Sequence, residues 1–278
     1  MFRNLIKVVQ NVSVRFGVNY INSDYEVQYI PVNLSFFIHR GLTGNIFGMI
    51  EMKYEIKGTP FPVVTCFLEK GETMVTEKGA MAWMTDQMKM ETNTGGGLMK
   101  GLGRMFSGDS IFLNNYTAED DDQFITFGSS FPGRILDFHL ENGKTIIAQK
   151  DAFLAMEKSV ELSIHFKKKI GRGFFGGEGF IMQKFTGNGH VFLEIDGDIV
   201  EYELKAGERL FIDQGHLAAM EDTVQFDVTT VKGAKNVLFG GEGLFLGMLT
   251  GPGKVWIQTM PMAGLVDIIL SRIPPSNG

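Results

Sequence analysis

Residues 239–261 read Phe239-Gly-Gly-Glu-Gly-Leu-Phe-Leu-Gly-Met-Leu-Thr-Gly-Pro-Gly-Lys-Val-Trp-Ile-Gln-Thr-Met-Pro261. Gly240, Gly241 and Gly243 supply backbone that takes positive φ. Residues 244–249 are an apolar run of strand length, and Gly251-Pro252-Gly253 makes a tight turn into Val255-Trp256-Ile257. The reading is turn, strand, turn, strand, and Glu242 is its one candidate reactive side chain.

The same pattern recurs upstream without a gap. Leu140-Glu-Asn-Gly143 and Leu204-Lys-Ala-Gly207 open two units whose spacing is 207 − 143 = 64. That offset also carries Met156-Glu157 onto Met220-Glu221, Phe175-Gly-Gly-Glu-Gly179 onto Phe239-Gly-Gly-Glu-Gly243, and Thr186-Gly187 onto Thr250-Gly251. A more divergent copy opens at Leu68-Glu-Lys-Gly71, with Met84 as far beyond Gly71 as Met156 lies beyond Gly143. Its glycine stretch is Phe106-Ser-Gly-Asp-Ser110, and an acidic loop, Ala118-Glu-Asp-Asp-Asp122, replaces its closing turn.

Each unit is expected to hold a strand, a glycine turn, three further strands and a closing hairpin. Asn188-Gly189 predicts a type I′ turn in the second unit. Short strands at regular spacing indicate a β-sandwich or barrel, and three equal units indicate pseudo-threefold packing. The expected fold is therefore all-β, a single domain over residues 52–273 with repeats at about 52–133, 134–197 and 198–260. Residues 264–272 are expected to close it as a short helix before Pro274-Pro275.

Composition agrees with this class. The 278 residues are 44% hydrophobic, enough for a substantial core, and 35 glycines and 24 phenylalanines against 8 prolines suit glycine turns between strands. A formal charge of −6 argues against a broad nucleic-acid surface. The lone cysteine, Cys66, has no internal disulfide partner. It sits in an apolar strand-like run and reads as a buried residue of a protein in a reducing, cytoplasmic compartment. No apolar run has the length of about 18 residues that a transmembrane helix requires.

Residues 1–51 lie outside the repeat. Phe2, Leu5, Ile6, Val9, Val12 and Phe16 fall at helical spacing, and Arg3, Lys7 and Arg15 are the only charges before Asp24. A basic amphipathic membrane contact, a targeting leader and a poorly ordered extension translated ahead of Met49 or Met52 all fit that composition.

The candidate chemistry is sparse. Asp109, Glu178 and Glu242 occupy equivalent places in the three units; they would converge at a threefold axis around a cation or shared proton, or each would cap its own glycine turn. Lys167, Lys168, Lys169 and Arg172 beside Phe174 and Phe175 form the one basic and aromatic cluster, either a single-stranded nucleic-acid platform or a solvated turn. The glycine run at 95–103 lacks the Gly-Lys-Ser/Thr of a phosphate loop. None of His39, His139, His165, His190 and His216 pairs with another at the spacing of a cupin metal site, so no cofactor or metal is expected.

Phe239-Gly-Gly-Glu-Gly-Leu-Phe-Leu with Leu249-Thr-Gly-Pro-Gly-Lys-Val-Trp-Ile-Gln, the paired Phe174-Phe-Gly-Gly-Glu-Gly-Phe180, and the run from Pro62-Val-Val to Glu77-Lys-Gly-Ala-Met81 resemble the altered-inheritance-of-mitochondria family. That family belongs to the superfamily like the tryptophan RNA-binding attenuation protein. The resemblance covers about residues 52–272. It implies three attenuation-protein-like units in a double-stranded β-helix arrangement, self-association, and, from mitochondrial members, a role in organising inner-membrane complexes with no established enzyme activity. The RNA and tryptophan binding of the distant relative does not carry over, because no ligand motif can be placed residue by residue and a fold does not carry a function.

A non-catalytic, self-associating binding or scaffold module is the expected function, partnered by a protein or membrane complex. A metal- or small-ligand-dependent enzyme of the cupin type and a nucleic-acid-binding regulator are the alternatives.

Overall fold

The computed structural model describes residues 52–77, 79–93, 113–168, 179–230 and 245–272, and the chain there is all-β with one short helix. The first third holds β1 (Lys53–Lys57), β2 (Val63–Leu68), β3 (Thr73–Glu77), β4 (Met81–Met84), β5 (Met88–Asn93), β6 (Leu113–Ala118) and β7 (Gln123–Gly128). The second holds β8 (Gly133–Leu140), β9 (Ile146–Gln149), β10 (Phe153–Glu157), β11 (Val160–Lys168), β12 (Phe180–Gly187) and β13 (Gly189–Asp196). The last holds β14 (Ile199–Leu204), β15 (Arg209–Ile212), β16 (Leu217–Glu221), β17 (Gln225–Thr230), β18 (Phe245–Thr250) and β19 (Gly253–Gln258), followed by helix α1 (Met262–Arg272).

These strands form four sheets, ordered β1-β2-β7-β4, β5-β6-β3-β10-β13-β8, β11-β12-β9-β16-β19-β14 and β15-β18-β17. One pairing links consecutive thirds. β3 pairs antiparallel with β10, Val75 opposite Met156, and β9 pairs antiparallel with β16, Ile147 opposite Met220. The corresponding strands that remain, β4 and β15, lie in different sheets, and each is an edge.

Burial follows the alternation of each strand. In β2, Val64, Cys66 and Leu68 point into the core while Phe67 is exposed. The central strands β9, β10 and β16 are covered on both faces and accordingly read Ile-Ile-Ala-Gln, Phe-Leu-Ala-Met-Glu and Leu-Ala-Ala-Met-Glu with little polar relief. Three core clusters result. Cys66, Phe127, Met74 and Phe192 pack between the first and second sheets, Phe153, Leu193, Phe185 and Ala219 between the second and third, and Phe180, Met182, Val228 and Leu249 between the third and fourth. Each fully buried phenylalanine, Phe127, Phe180, Phe185 or Phe192, removes enough apolar surface to stabilise the fold by about 1.5–3 kcal/mol. Burial also pushes the Cys66 thiol far up, so it behaves as a core apolar residue.

The hairpin at Gly187-Asn188-Gly189 departs from the type I′ expectation. Positive φ falls on Gly187 (117°) and Gly189 (139°) and not on Asn188. The reason is steric. A Cβ at Gly187 would meet the Ser159 carbonyl oxygen at 2.5 Å, and one at Gly189 would overlap a Glu157 carboxylate oxygen, so the chain crosses the β10–β11 connection by backbone alone. The type I′ pair of positive φ values occurs instead at Asn142 (54°) and Gly143 (82°), between β8 and β9, with Lys144 N–H donating to Glu141 O. The helix starts at Met262, two residues ahead of its expected start, because the Asp196 carboxylate accepts the Met262 N–H at 2.8 Å.

Candidate functional site

Titratable side chains gather where β1 and β2 lie over β8 and β13. Tyr54 on β1 donates its hydroxyl to Asp137 Oδ2 at 2.8 Å, and His190 Nδ1 lies 2.7 Å from Asp137 Oδ1. An ionised Asp137 only accepts, so this geometry places a proton on Nδ1 of His190. His139, directly opposite His190 across the β8–β13 ladder, stacks on it with ring centres 4.6 Å apart. Phe192 lies parallel to His190 at 6.0 Å, and Tyr54 packs edge-on to Phe192 at 5.0 Å.

An aspartate, an imidazole and a phenol in hydrogen-bonding series is also an acid–base arrangement. Here it is closed: only 2% of the His190 side chain meets solvent. What the arrangement does is fasten the first sheet to the second through one carboxylate that holds a partner on each oxygen. No group of three or more His, Cys, Asp or Glu side chains among the described residues has the geometry to hold a metal ion.

A second polar device recurs along the chain. The Glu157 carboxylate accepts the His190 backbone N–H at 2.6 Å, and the Glu221 carboxylate accepts that of Lys254 at 2.9 Å; each pair is the other shifted by 64 residues. In the first third the Thr85 hydroxyl accepts the Phe124 N–H at 3.2 Å, with β4 and β7 aligned as β10 and β13 are. A side chain leaving one strand thus caps the hairpin strand beside it three times over.

Of the residues singled out by sequence, Asp109, Glu178, Glu242, Lys169 and Arg172 lie outside the described residues. Lys167 and Lys168 belong to β11, paired with Ile181 and Phe180, and not to a turn, and the Lys167 side chain is exposed. The Asp137–His190 pair escaped sequence reading because its members are 53 residues apart and meet only through the long β8–β13 register.

The remaining conspicuous chemistry is apolar and exposed. On α1, Met262, Val266 and Ile269 fall at spacings of four and three, one stripe of the helix, and are 39%, 43% and 51% exposed. The edge strands β4 and β15 expose Trp83 and Phe211. No helix among the described residues is long and apolar enough to cross a membrane.

Near the helix, Glu194 on β13 accepts from Ser130 N–H and from the Ser129 and Ser130 hydroxyls. Burial raises its carboxyl above the usual range, more than these bonds and against them lower it, and burial does the same to Asp196 despite the Met262 N–H. The folded state therefore holds these protons to higher pH than the unfolded chain does, so what these two carboxyls contribute to stability falls as pH rises above about 4.3, the ordinary glutamate value. Glu194→Gln is expected to flatten that slope. Thermal melts from pH 4 to 7 check this: the melting temperature of the unsubstituted chain relative to the variant should drop across the range, and a rise would refute the assignment.

Residues 54–260 match the family model described as mitochondrial biogenesis AIM24. An uncharacterized protein of Streptococcus pyogenes serotype M6 is 27% identical over 237 residues, spanning 82% of this chain and 93% of its own length. A protein of Streptococcus pyogenes solved by crystallography superposes with a TM-score of 0.65 at 23% identity, over 80% of this chain and 100% of that one. At that identity the likeness establishes the fold.

Proposed function

The chain belongs to the mitochondrial biogenesis AIM24 family, and from that premise we propose that it is a non-catalytic, self-associating β protein that serves as a binding or scaffold module for a protein or membrane complex. The observation that carries this reading is the apolar stripe Met262, Val266 and Ile269 on α1, with Met260 exposed just ahead of it. A terminal helix ordinarily turns such a stripe into the core; here it faces outward on a helix anchored by Asp196, which is the arrangement of a recognition helix awaiting a groove. The closed state of the Asp137–His190 pair supports the non-catalytic part, since a substrate needs access to a reacting group. A cytoplasmic setting without a cofactor accords with this reading.

Gentle purification of the full chain and of Val266→Asp/Ile269→Asp from the same cells, followed by native mass spectrometry, tests it. A macromolecular partner held in stoichiometric amount by the first and lost from the second, with unchanged melting temperatures, is the expected outcome. A stoichiometric metal ion or metabolite retained by both would overturn it in favour of a ligand-dependent enzyme.

A further inference from the structure

Among the described residues four sheets have eight edges, and six of them carry charge beyond the first residue of the strand. These are Lys53, Glu55 and Lys57 on β1; Lys89 and Glu91 on β5; Arg134 and Asp137 on β8; Glu161 and Lys167 on β11; Glu201 and Glu203 on β14; and Asp227 on β17. Charged side chains are the usual means by which an exposed edge is kept from pairing with another chain. β4, reading Met-Ala-Trp-Met, has none, and β15, reading Arg-Leu-Phe-Ile, has one, at its first position.

These two unguarded edges are complementary to each other. Inside the chain, the strand after each opening glycine turn pairs with the strand centred on the next unit's methionine: β3 with β10, then β9 with β16. The sequence offsets that superpose Val75, Ile147 and Phe211, and Met84, Met156 and Met220, leave β15 without the strand of a following unit and β4 without that of a preceding one. Burial registers the difference. Val75 is 5% and Ile147 0% exposed, while Phe211 is 54%; Ala155 and Ala219 are 0%, while Trp83 in the equivalent place is 51%. A large aromatic where the chain's own junctions use alanine supplies the apolar area that an interface between separate molecules needs.

We propose that β15 of one copy of this chain pairs antiparallel with β4 of a second copy, Phe211 opposite Met84 and Ile212 opposite Trp83, continuing between molecules the junction that the chain uses twice within itself. The proposal rests on the self-association in the reading above and gives it a surface and a register. The two patches differ, so the contact is heterologous: every added copy presents a fresh edge, and the assembly grows head to tail until it closes into a ring.

The full chain, Trp83→Lys and Phe211→Lys are compared by native mass spectrometry, each alone and then the two variants mixed in equal amounts. The unsubstituted chain is expected as a multimer of its 30.9 kDa mass and each variant as a single copy with unchanged melting temperature. The mixture should give a dimer and nothing larger, because only β15 of the Trp83→Lys copy and β4 of the Phe211→Lys copy are intact. A monomeric unsubstituted chain, variants that keep the full assembly, or a mixture that stays monomeric overturns the proposal. Met84→Cys/Phe211→Cys, oxidised and run under denaturing conditions, checks the register independently of those charges, since Cys66 is buried. Covalent multimers are expected, and a bridge within one chain, or no bridge, overturns the junction. If the chain assembles but the β4 and β15 variants leave the assembly intact, the junction alone is wrong; if the unsubstituted chain is a monomer, self-association falls with it; if assembly follows the junction and no partner depends on the helix stripe, the scaffold reading is wrong.

Discussion

Gly133→Ala is expected to lower the melting temperature by roughly 6–12 °C, the largest effect of any single methyl group added to the described residues. Gly133 opens β8 opposite Asp196, and a Cβ built there falls on the carbonyl oxygen of Ile195, with the Gly197 nitrogen 3.0 Å away. Both obstacles are backbone and cannot rotate aside as a side chain tip does. The segment is also pinned at both ends, because Gly133 N–H donates to Pro60 O at 2.7 Å and Gly197 N–H to Pro132 O at 2.9 Å. Relief therefore requires the paired strands β8 and β13 to move apart against the connection at Pro60, at a cost of about 3 kcal/mol, the upper end of what overpacking exacts. In a domain of this size each kcal/mol is worth roughly 2–4 °C. Calorimetric melts of the variant measure this directly, and a shift below about 2 °C would show that the loop at 129–132 yields instead.

Asp137→Ala is expected to cost about 3 kcal/mol, because it strips a buried imidazole and a phenol of one shared acceptor. The comparison that isolates the cause is a double-mutant cycle with His190→Phe, a ring of similar shape that makes no demand for an acceptor. If the carboxylate and the His190 imidazole, neighbours within the second sheet, depend on each other, the double variant is less unstable than the sum of the single ones, by about 1–3 kcal/mol. Additive losses in urea titration would mean that Asp137 stabilises through Tyr54 alone. Tyr54→Phe is the milder perturbation, near 1 kcal/mol, since only one hydrogen bond is removed and the ring packing on Phe192 remains.

Much of the β pattern was legible because glycine turns are local. Leu140-Glu-Asn-Gly143 and Leu204-Lys-Ala-Gly207 punctuate the chain where β8 gives way to β9 and β14 to β15, and Met84, Met156 and Met220 sit in β4, β10 and β16. Which strand lies beside which was not legible. The joining of β3 to β10 and of β9 to β16 depends on sheets meeting across whole units, and no turn residue encodes it. The same limit hid the Asp137–His190 pair. His139 and His190 look unrelated in sequence and become cross-strand neighbours only once eight consecutive residues of β8 and β13 are in register. Turn capping by an acid was anticipated as one role of Glu178 and Glu242, which lie outside the described residues. Among the described residues Glu72 and Glu208 accept backbone N–H groups within their own glycine turns, and Glu157 and Glu221, which repeat at the same offset of 64, cap a neighbouring hairpin strand, a role that sequence spacing does not show. Nor does the apolar composition of β4 and β15 show in the sequence that both lie at an edge.

The exposed aromatic on β4 has an optical consequence. The chain has two tryptophans. Trp256, on β19, is 8% exposed and packs edge-on against Phe138 at 4.9 Å, while Trp83 is 51% exposed. An indole in water emits at longer wavelength than one in an apolar setting, so the native spectrum is a sum of two separable colours. The blue component follows the core through unfolding, and the red one follows a single strand at the rim, which makes the unlabelled protein its own reporter of whatever comes to rest against that edge.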